Sequence, residues 1–176
     1  GRLSKTTFDR VAGDIGNYSD DYAERFSQIA SIPVRGFHWS SENQHVARAH
    51  AAICLIDEFI ARKFAVDGRV LLWGHSHAGN VFALVTNLLT ASSEVRRRFF
   101  AAAGSYYRWP LTGQVDLPVW TRVERFLNAS GDARALPALD MVTFGTPILY
   151  GWDTDGYAKL LHFVHHRPLQ GVPAYR

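Results

Sequence analysis

Residues 69–90 read RVLLWGHSHAGNVFALVTNLLT, a short apolar run followed by a glycine-bounded turn and a longer apolar segment. Residues 70–73 are apolar without interruption, which is typical of a strand buried in a parallel sheet. The apolar residues after the turn recur at spacings that suit a buried helix; they are Val81, Phe82, Leu84, Val85, Leu88 and Leu89. The stretch therefore predicts a strand, a tight turn and a helix, in that order.

The turn carries one serine, Ser76. In a nucleophile elbow, a serine at the tip of such a turn is lifted above the sheet, and backbone N–H groups of the helix N-terminus point at developing negative charge. The residues two before and two after the serine must be small, and the chain supplies Gly74 and Ala78, followed by Gly79. Ala78 departs from the strict G-x-S-x-G pattern, although a methyl group should fit. The flanking strand and helix favour a nucleophilic Ser76 over a chance match.

Length and composition indicate one globular domain over residues 1–176. A chain of 176 residues can bury a single sizeable core, and its 47% apolar content argues against general disorder. No run approaches the roughly 18 apolar residues that span a bilayer, and residues 1–10 lack the apolar core of a signal peptide. We expect a soluble protein without a transmembrane segment. The chain begins with Gly, so its compartment stays open, with the cytoplasm favoured.

Charge and cysteine content argue against a nucleic-acid-binding protein and against a fold stabilised by internal disulfides. The formal net charge is +3, and the only dense basic run, at residues 96–98, has no interleaved aromatic residues. A solvated helix face is therefore predicted there rather than a nucleic-acid site. Cys54 cannot form an internal disulfide and lies in an apolar helical pattern, so we expect a small buried residue. The oligomeric state stays open.

The order of predicted elements indicates an α/β fold, with a mostly parallel sheet flanked by helices. Besides the elbow, strands are predicted at residues 8–11, 31–39, 140–146 and 157–164, and helices at 20–30, 43–65, near 93–104 and 120–127. Residues 92–138 are long for a plain connection and form a candidate cap or insertion. Its aromatic residues either line an apolar pocket or pack the insertion onto the body; they are Tyr106, Tyr107, Trp109 and Trp120.

A polar loop follows the predicted strand at residues 31–39. It should open at the carboxyl edge of the sheet, where ligand sites form in α/β folds. Its candidate site residues are Ser40, Glu42, Asn43, His45 and Arg48. For Ser40 and Ser41, helix capping is an equally good interpretation.

The sequences VLLWGHSHAGN and DMVTFGTP carry a resemblance to the α/β-hydrolase superfamily, on its lipase and esterase side. The second string is similar to the strand-and-proline segment that follows the elbow helix in many lipases. The resemblance covers roughly residues 31–166. It implies an enzyme that hydrolyses carboxylic esters of small molecules or lipids through an acyl-enzyme, without a metal or an organic cofactor.

A serine hydroxyl needs a histidine to take its proton and a carboxylate to orient that histidine. The superfamily order is serine, acid, histidine. The only acids after DMVTFGTP are Asp153 and Asp155, and His166 or His165 follows them. The implied triad is Ser76, Asp153 (or Asp155) and His166 (or His165). The expected oxyanion donor is the backbone N–H of His77, with Phe37 or His38 as the second donor.

Two features conflict with a complete triad inside this chain. A parallel crossover needs about a dozen residues, and residues 148–156 barely supply them. An antiparallel last strand would bring His165 and His166 to the wrong edge of the sheet. The family plan also has an oxyanion loop on an earlier strand, and an acid and histidine after two further strands. Against that plan the sequence looks cut at both ends.

Two rival interpretations come from other classes. Residues 74–77, GHSH, also match the G-H-x-H metal-ligand string of metallophosphoesterases, in which two metals clamp a phosphate. That family needs upstream Asp-x-His and Asn-His strings, and the chain has neither. The second rival is a non-catalytic or truncated α/β-hydrolase-like domain that keeps the fold and lacks the proton relay. Reactivity of Ser76 toward a phosphonate separates this second rival from an esterase.

Overall fold

The computed structural model describes residues 18–62, 64, 68–107, 117–129 and 136–164. The chain divides into two compact units, residues 1–42 and 43–176. The first unit contains helix α1 (Asp20–Ala30). The second contains, in order, α2 (His45–Ala61), β1 (Arg69–His75), α3 (Ala78–Thr90), α4 (Ser93–Tyr107), α5 (Leu117–Asn128), β2 (Ala138–Phe144), a 3-10 turn (Thr154–Gly156) and β3 (Lys159–Phe163).

The first unit has the predicted helix and lacks a predicted strand. α1 begins after Ser19, whose hydroxyl accepts the Tyr22 N–H at 3.2 Å, and it ends at Ser31 with φ +53°. The strand predicted at 31–39 is wrong, because residues 33–42 have no regular structure. Pro33 has no N–H to give to a neighbouring strand, so an extended segment there is poorly suited to a ladder. The strand predicted at 8–11 lies outside the described residues.

The sheet of the second unit has three parallel strands in the order β1-β2-β3. β1 pairs with β2 from Arg69 opposite Ala138 to His75 opposite Phe144, and β2 pairs with β3 up to Phe144 opposite Phe163. The described fold is therefore α/β with a small open parallel sheet and helices. All three strands end at the same edge, which is the edge where the chain turns into α3.

One face of the sheet packs against α3. Gly74 faces this helix, because a Cβ built on Gly74 would lie 2.6 Å from Cε2 of Phe82. The core of the second unit includes apolar side chains with almost no exposure, on four elements. They are Ile53 and Ile56 of α2, Val81 and Val85 of α3, Val123 of α5 and Met141 of β2.

The described parts of the segment between α3 and β2 form two helices that pack onto the body. Trp120 of α5 is 5% exposed, its ring stacks on Phe99 at 5.8 Å, and its Nε1–H donates to Nδ1 of His50 at 3.0 Å. Arg122 pairs with Asp57 of α2 at 2.6 Å. Trp120 therefore packs α5 against α2. Trp109 lies outside the described residues, as do the side chains of Tyr106 and Tyr107.

The basic run at the start of α4 is only partly solvated. Arg97 and Arg98 are exposed and pair with Glu94, as a solvated helix face requires. Arg96 is half-buried and donates to the carbonyl oxygens of Leu88 at 2.9 Å, Leu89 at 2.6 Å and Leu127. The prediction of solvation is therefore wrong for Arg96, because free carbonyl groups at the ends of α3 and α5 attract a cation.

Predicted boundaries shift by a few residues elsewhere. Strands predicted at 140–146 and 157–164 occupy 138–144 and 159–163, and the helix predicted at 43–65 occupies 45–61. None of the helices in the described ranges combines the length and apolarity that crossing a bilayer would require.

Candidate functional site

Ser76 occupies the turn between β1 and α3 in a left-handed backbone conformation, with φ +54°. Its N–H donates to the carbonyl oxygen of Phe144 at 2.9 Å. A side-chain-bearing residue in this conformation costs about 1–3 kcal/mol, and such residues cluster at functional sites. The turn therefore places Ser76 at the carboxyl edge of the sheet in a strained geometry that the surrounding backbone maintains.

The small residues around Ser76 are required by close packing. A Cβ at Gly74 would lie 2.9 Å from Cβ of Ala78, as well as against Phe82. A Cβ at Gly79 would lie 2.6 Å from Cγ2 of Thr146. The Ala78 methyl fits because Gly74 opposite has none. The tight strand-to-helix turn thus tolerates the departure from G-x-S-x-G.

The N-terminus of α3 supplies free backbone donors beside Ser76. His77 is the N-cap residue, and its carbonyl oxygen accepts from Asn80 N–H at 3.1 Å and Val81 N–H at 3.3 Å. The His77 N–H has no hydrogen-bond partner among the described residues. This is the position predicted for an oxyanion donor. Phe37 and His38 lie in the irregular segment of the first unit.

The His77 side chain is half-buried, and its Nδ1 atom is buried without a hydrogen-bond partner in the described part of the chain. Burial lowers the pKa of His77 below its ordinary value of 6.5, and the positive charge of Arg48 lowers that pKa further. Both effects disfavour the imidazolium form. The imidazole next to Ser76 is therefore neutral at neutral pH.

Arg48 of α2 is the most unusual charged residue near this turn, because it is only 2% exposed. Its Nε–H donates to the hydroxyl of Tyr150 at 3.1 Å, and Nη1 donates to Oδ1 of Asn43 at 2.8 Å. The same hydroxyl lies 2.7 Å from Nδ1 of His45. Three of the polar residues predicted to shape the site thus lie in one hydrogen-bonded cluster: Arg48 and His45 contact the Tyr150 hydroxyl, and Asn43 contacts Arg48.

Sequence reasoning missed Tyr150. The available signal was Arg48 itself, which falls four residues before Ala52 and eight before Ile56 on the buried side of α2. A cation at such a position needs polar partners supplied by another element.

Asn80 fixes the loop after β2 onto the first turn of α3. Its side chain is 1% exposed, donates through Nδ2 to the Pro147 carbonyl at 2.7 Å and accepts through Oδ1 from the Leu149 N–H at 3.1 Å. These two hydrogen bonds place Tyr150, the next residue, on the side of the serine turn. The motif DMVTFGTP thus contributes through the backbone carbonyl of Pro147, its last residue.

Asp153 lies farther along the same loop. Gly151 accepts from Asn87 at 3.0 Å, and a Cβ at Gly156 would lie 2.7 Å from Cα of Thr86. Thr86 is eight residues into α3 from Ala78, which is about 12 Å along the helix. The half-buried Asp153 side chain caps the 3-10 turn by accepting from the Asp155 N–H at 3.0 Å.

Asp155 is exposed beside Asp153 in this turn. The described hydrogen bond of the Asp153 carboxylate is thus a cap, and the place of Asp153 or Asp155 in the relay stays a prediction.

The direction of β3 removes one conflict seen in the sequence. β3 is parallel to β2, and the connection between them spans residues 145–158. Val164 thus follows β3 at the edge that carries Ser76. His165 and His166 are the next residues in the sequence and lie outside the described residues. His162, within β3, is hydrogen-bonded to Thr143 through Nδ1.

Metal ligands do not cluster in the described ranges, where no group of three or more His, Cys, Asp or Glu side chains could hold an ion. His75, at the end of β1, is exposed. Comparison of the chain with protein-family models, curated proteins and solved structures gives no match.

Proposed function

We propose that this chain is an α/β-hydrolase-like serine hydrolase that cleaves carboxylic esters through an acyl-enzyme on Ser76. The observation that carries the proposal is the left-handed Ser76 at a strand-to-helix turn, at the carboxyl edge of a parallel sheet. The steric need for glycine at Gly74 supports it, because this packing makes the turn sharp enough to lift the serine above the sheet.

In the proposed reaction, Oγ of Ser76 attacks the ester carbonyl while a histidine takes its proton. The carbonyl oxygen becomes an oxyanion, which the free His77 N–H stabilises by a hydrogen bond. The tetrahedral intermediate collapses, the C–O bond to the alcohol breaks, and the alcohol leaves with the proton from the histidine. Water then attacks the acyl-serine by the same route and releases the acid.

The proposed base is His166 or His165, because the chain reaches Val164 at the edge that carries Ser76. His77 is a poor candidate, since its Nδ1 is buried and its pKa is lowered by burial and by Arg48. Asp153 caps a turn well along α3, so its position argues against a part in the relay.

The test is labelling with a fluorophosphonate probe, followed by intact mass and peptide mapping. We expect stoichiometric modification of Ser76 and none in Ser76→Ala. The matched control is Ser31→Ala, because Ser31 shares the positive φ but caps the end of α1. Absence of labelling in a folded, unaltered chain would contradict the proposal and favour a non-catalytic domain.

A further inference from the structure

The buried guanidinium of Arg48 has no counter-charge among the described residues. Arg48 is 2% exposed, and no described carboxylate lies within the 4.0 Å of an ion pair. By contrast, Arg69 and Arg122 each have a close carboxylate and are half exposed. A cation with so little exposure interacts strongly with an anion that reaches it, because little solvent screens the two charges.

The neighbours of Arg48 orient its guanidinium without neutralising it. Tyr150 accepts from Nε, and Asn43 accepts from Nη1. An arginine can only donate, so the Tyr150 proton is free to donate to Nδ1 of His45. Three of the five guanidinium N–H groups, including both on Nη2, keep no partner among the described residues, and Nη2 is not fully buried, so a ligand can reach it. Both partners are uncharged acceptors, one just before α2 and one in the loop after β2, and together they hold the planar group in place.

This oriented cation belongs to the surroundings of Ser76. Asn80, four residues after the serine, holds the Leu149 N–H, and Tyr150 follows directly. The charge of Arg48 acts on His77, the residue next to the serine. The unpartnered Nδ1 of His77 is a further polar atom in the same region.

We propose that Arg48 binds a carboxylate on the substrate of Ser76, so that the preferred esters are half-esters of dicarboxylic acids. This inference rests on the proposed function, and it names the substrate class of that site. A carboxylate carries a single negative charge, which matches one guanidinium, and its two oxygens fit adjacent N–H donors in a plane. An uncharged ester would leave the cation unpaired.

The test uses a matched pair of ligands, monomethyl succinate and dimethyl succinate, at equal ionic strength. Binding is measured by isothermal titration calorimetry on the Ser76→Ala chain, so that neither ester is consumed. We expect the charged half-ester to bind roughly tenfold or more tightly than the diester, because charge-assisted hydrogen bonds form only with the former. Equal affinities for the two esters would overturn the proposal, and this comparison requires no change at Arg48.

Variants then locate the binding site. Arg48→Met in the Ser76→Ala background should abolish the preference for the half-ester, and Arg48→Lys should restore part of it, since lysine keeps the charge and loses the planar fork. Arg69→Met is the control, because Arg69 pairs with Asp140 at the opposite edge of the sheet. An unchanged preference in folded Arg48→Met, or its loss in Arg69→Met, would also overturn the proposal.

The two proposals fail in different ways. Selective binding of the half-ester without fluorophosphonate labelling would support the anion site at Arg48 and contradict the proposal of a serine hydrolase. Labelling of Ser76 with equal binding of both esters would support the serine hydrolase and contradict the anion site at Arg48.

Discussion

The backbone N–H of Ser76 donates to the carbonyl oxygen of Phe144 at 2.9 Å, one residue beyond the last paired residue of β1. The hydrogen bonding between β1 and β2 therefore continues into the turn. Because the Ser76 N–H is held by the sheet, the chain must reverse at this residue to enter α3, and the left-handed φ follows. The strain at Ser76 is thus imposed by the two strands and the helix together.

The packing at Gly74 predicts a strong effect of a single methyl group. Gly74→Ala should destabilise the fold by about 1–3 kcal/mol, because the new Cβ would overlap the Phe82 ring and the Ala78 methyl. Urea denaturation measures the loss. Gly151→Ala is the control, since a Cβ there meets nothing within 4 Å. Equal stability of the two variants would show that the turn does not depend on this packing.

The lowered pKa of His77 predicts a loss of stability on acidification. The unfolded chain takes up a proton on His77 near the ordinary pKa of 6.5, whereas the folded chain does so only at lower pH. Below about pH 7 the unfolded state therefore binds more protons, and the free energy of unfolding should fall as the pH drops through the ordinary histidine range.

Denaturation of the unaltered chain and of His77→Gln across this pH range tests the effect. The glutamine variant should lose less stability on acidification. His75→Gln serves as the control, because it removes an exposed histidine from the same turn. If both variants lost stability with falling pH as steeply as the unaltered chain does, the assignment of the effect to His77 would be wrong.

The hydrogen bonds of Arg96 predict that its substitution lowers the free energy of unfolding more than substitution of the neighbouring Arg97 does. Arg96→Met should lower the free energy of unfolding by about 1–3 kcal/mol, because carbonyl groups at the ends of α3 and α5 lose their donor. Arg97→Met removes only an exposed pair with Glu94 and should cost under about 0.5 kcal/mol. Chemical denaturation measures both, and a reversed order would contradict the structural role of Arg96.

The position of Asp153 predicts a small catalytic effect. Asp153→Ala should cost about 1 kcal/mol of stability through loss of its cap to the Asp155 N–H. The rate of fluorophosphonate labelling at Ser76 should change less than about twofold, since no transition-state interaction is removed. A hundredfold slower reaction in a folded variant would instead place Asp153 in the relay. His166→Ala and His165→Ala are assayed in the same way, and the variant that lacks the proposed base should label Ser76 much more slowly.

Local patterns predicted the elements that depend on neighbouring residues. The strand, turn and helix around Ser76 follow from apolar runs and small residues within 22 positions, and Ser19 caps α1 as its hydroxyl suggests. The strand at 31–39 failed because extended structure requires a partner strand, and the sequence around Pro33 does not reveal whether one is present. The prediction that Arg96 is solvated failed because its carbonyl acceptors lie on two other helices, which the local sequence does not reveal.

The site was predictable only in part for a similar reason. Ser76 and the His77 N–H follow from one turn, whereas Asp153 was assigned by its order along the chain. That order does not specify how far a loop runs along α3 before the next strand begins, and the 3-10 turn lies against Thr86. Tyr150 was missed because its contact with Arg48 joins residues 102 positions apart.

The two hydrogen bonds of Asn80 have a consequence for chain-length selectivity. They join the start of α3, which follows Ser76, to the segment that carries Tyr150, a hydrogen-bond partner of Arg48. On the proposal that Arg48 binds the free carboxylate, these bonds limit how far the guanidinium can shift relative to the serine. A half-ester can reach both groups only if the number of methylene units between its two carbonyl carbons matches the distance between them. A homologous series of dicarboxylic half-esters would then show one optimum length, and loosening of Asn80 would broaden it.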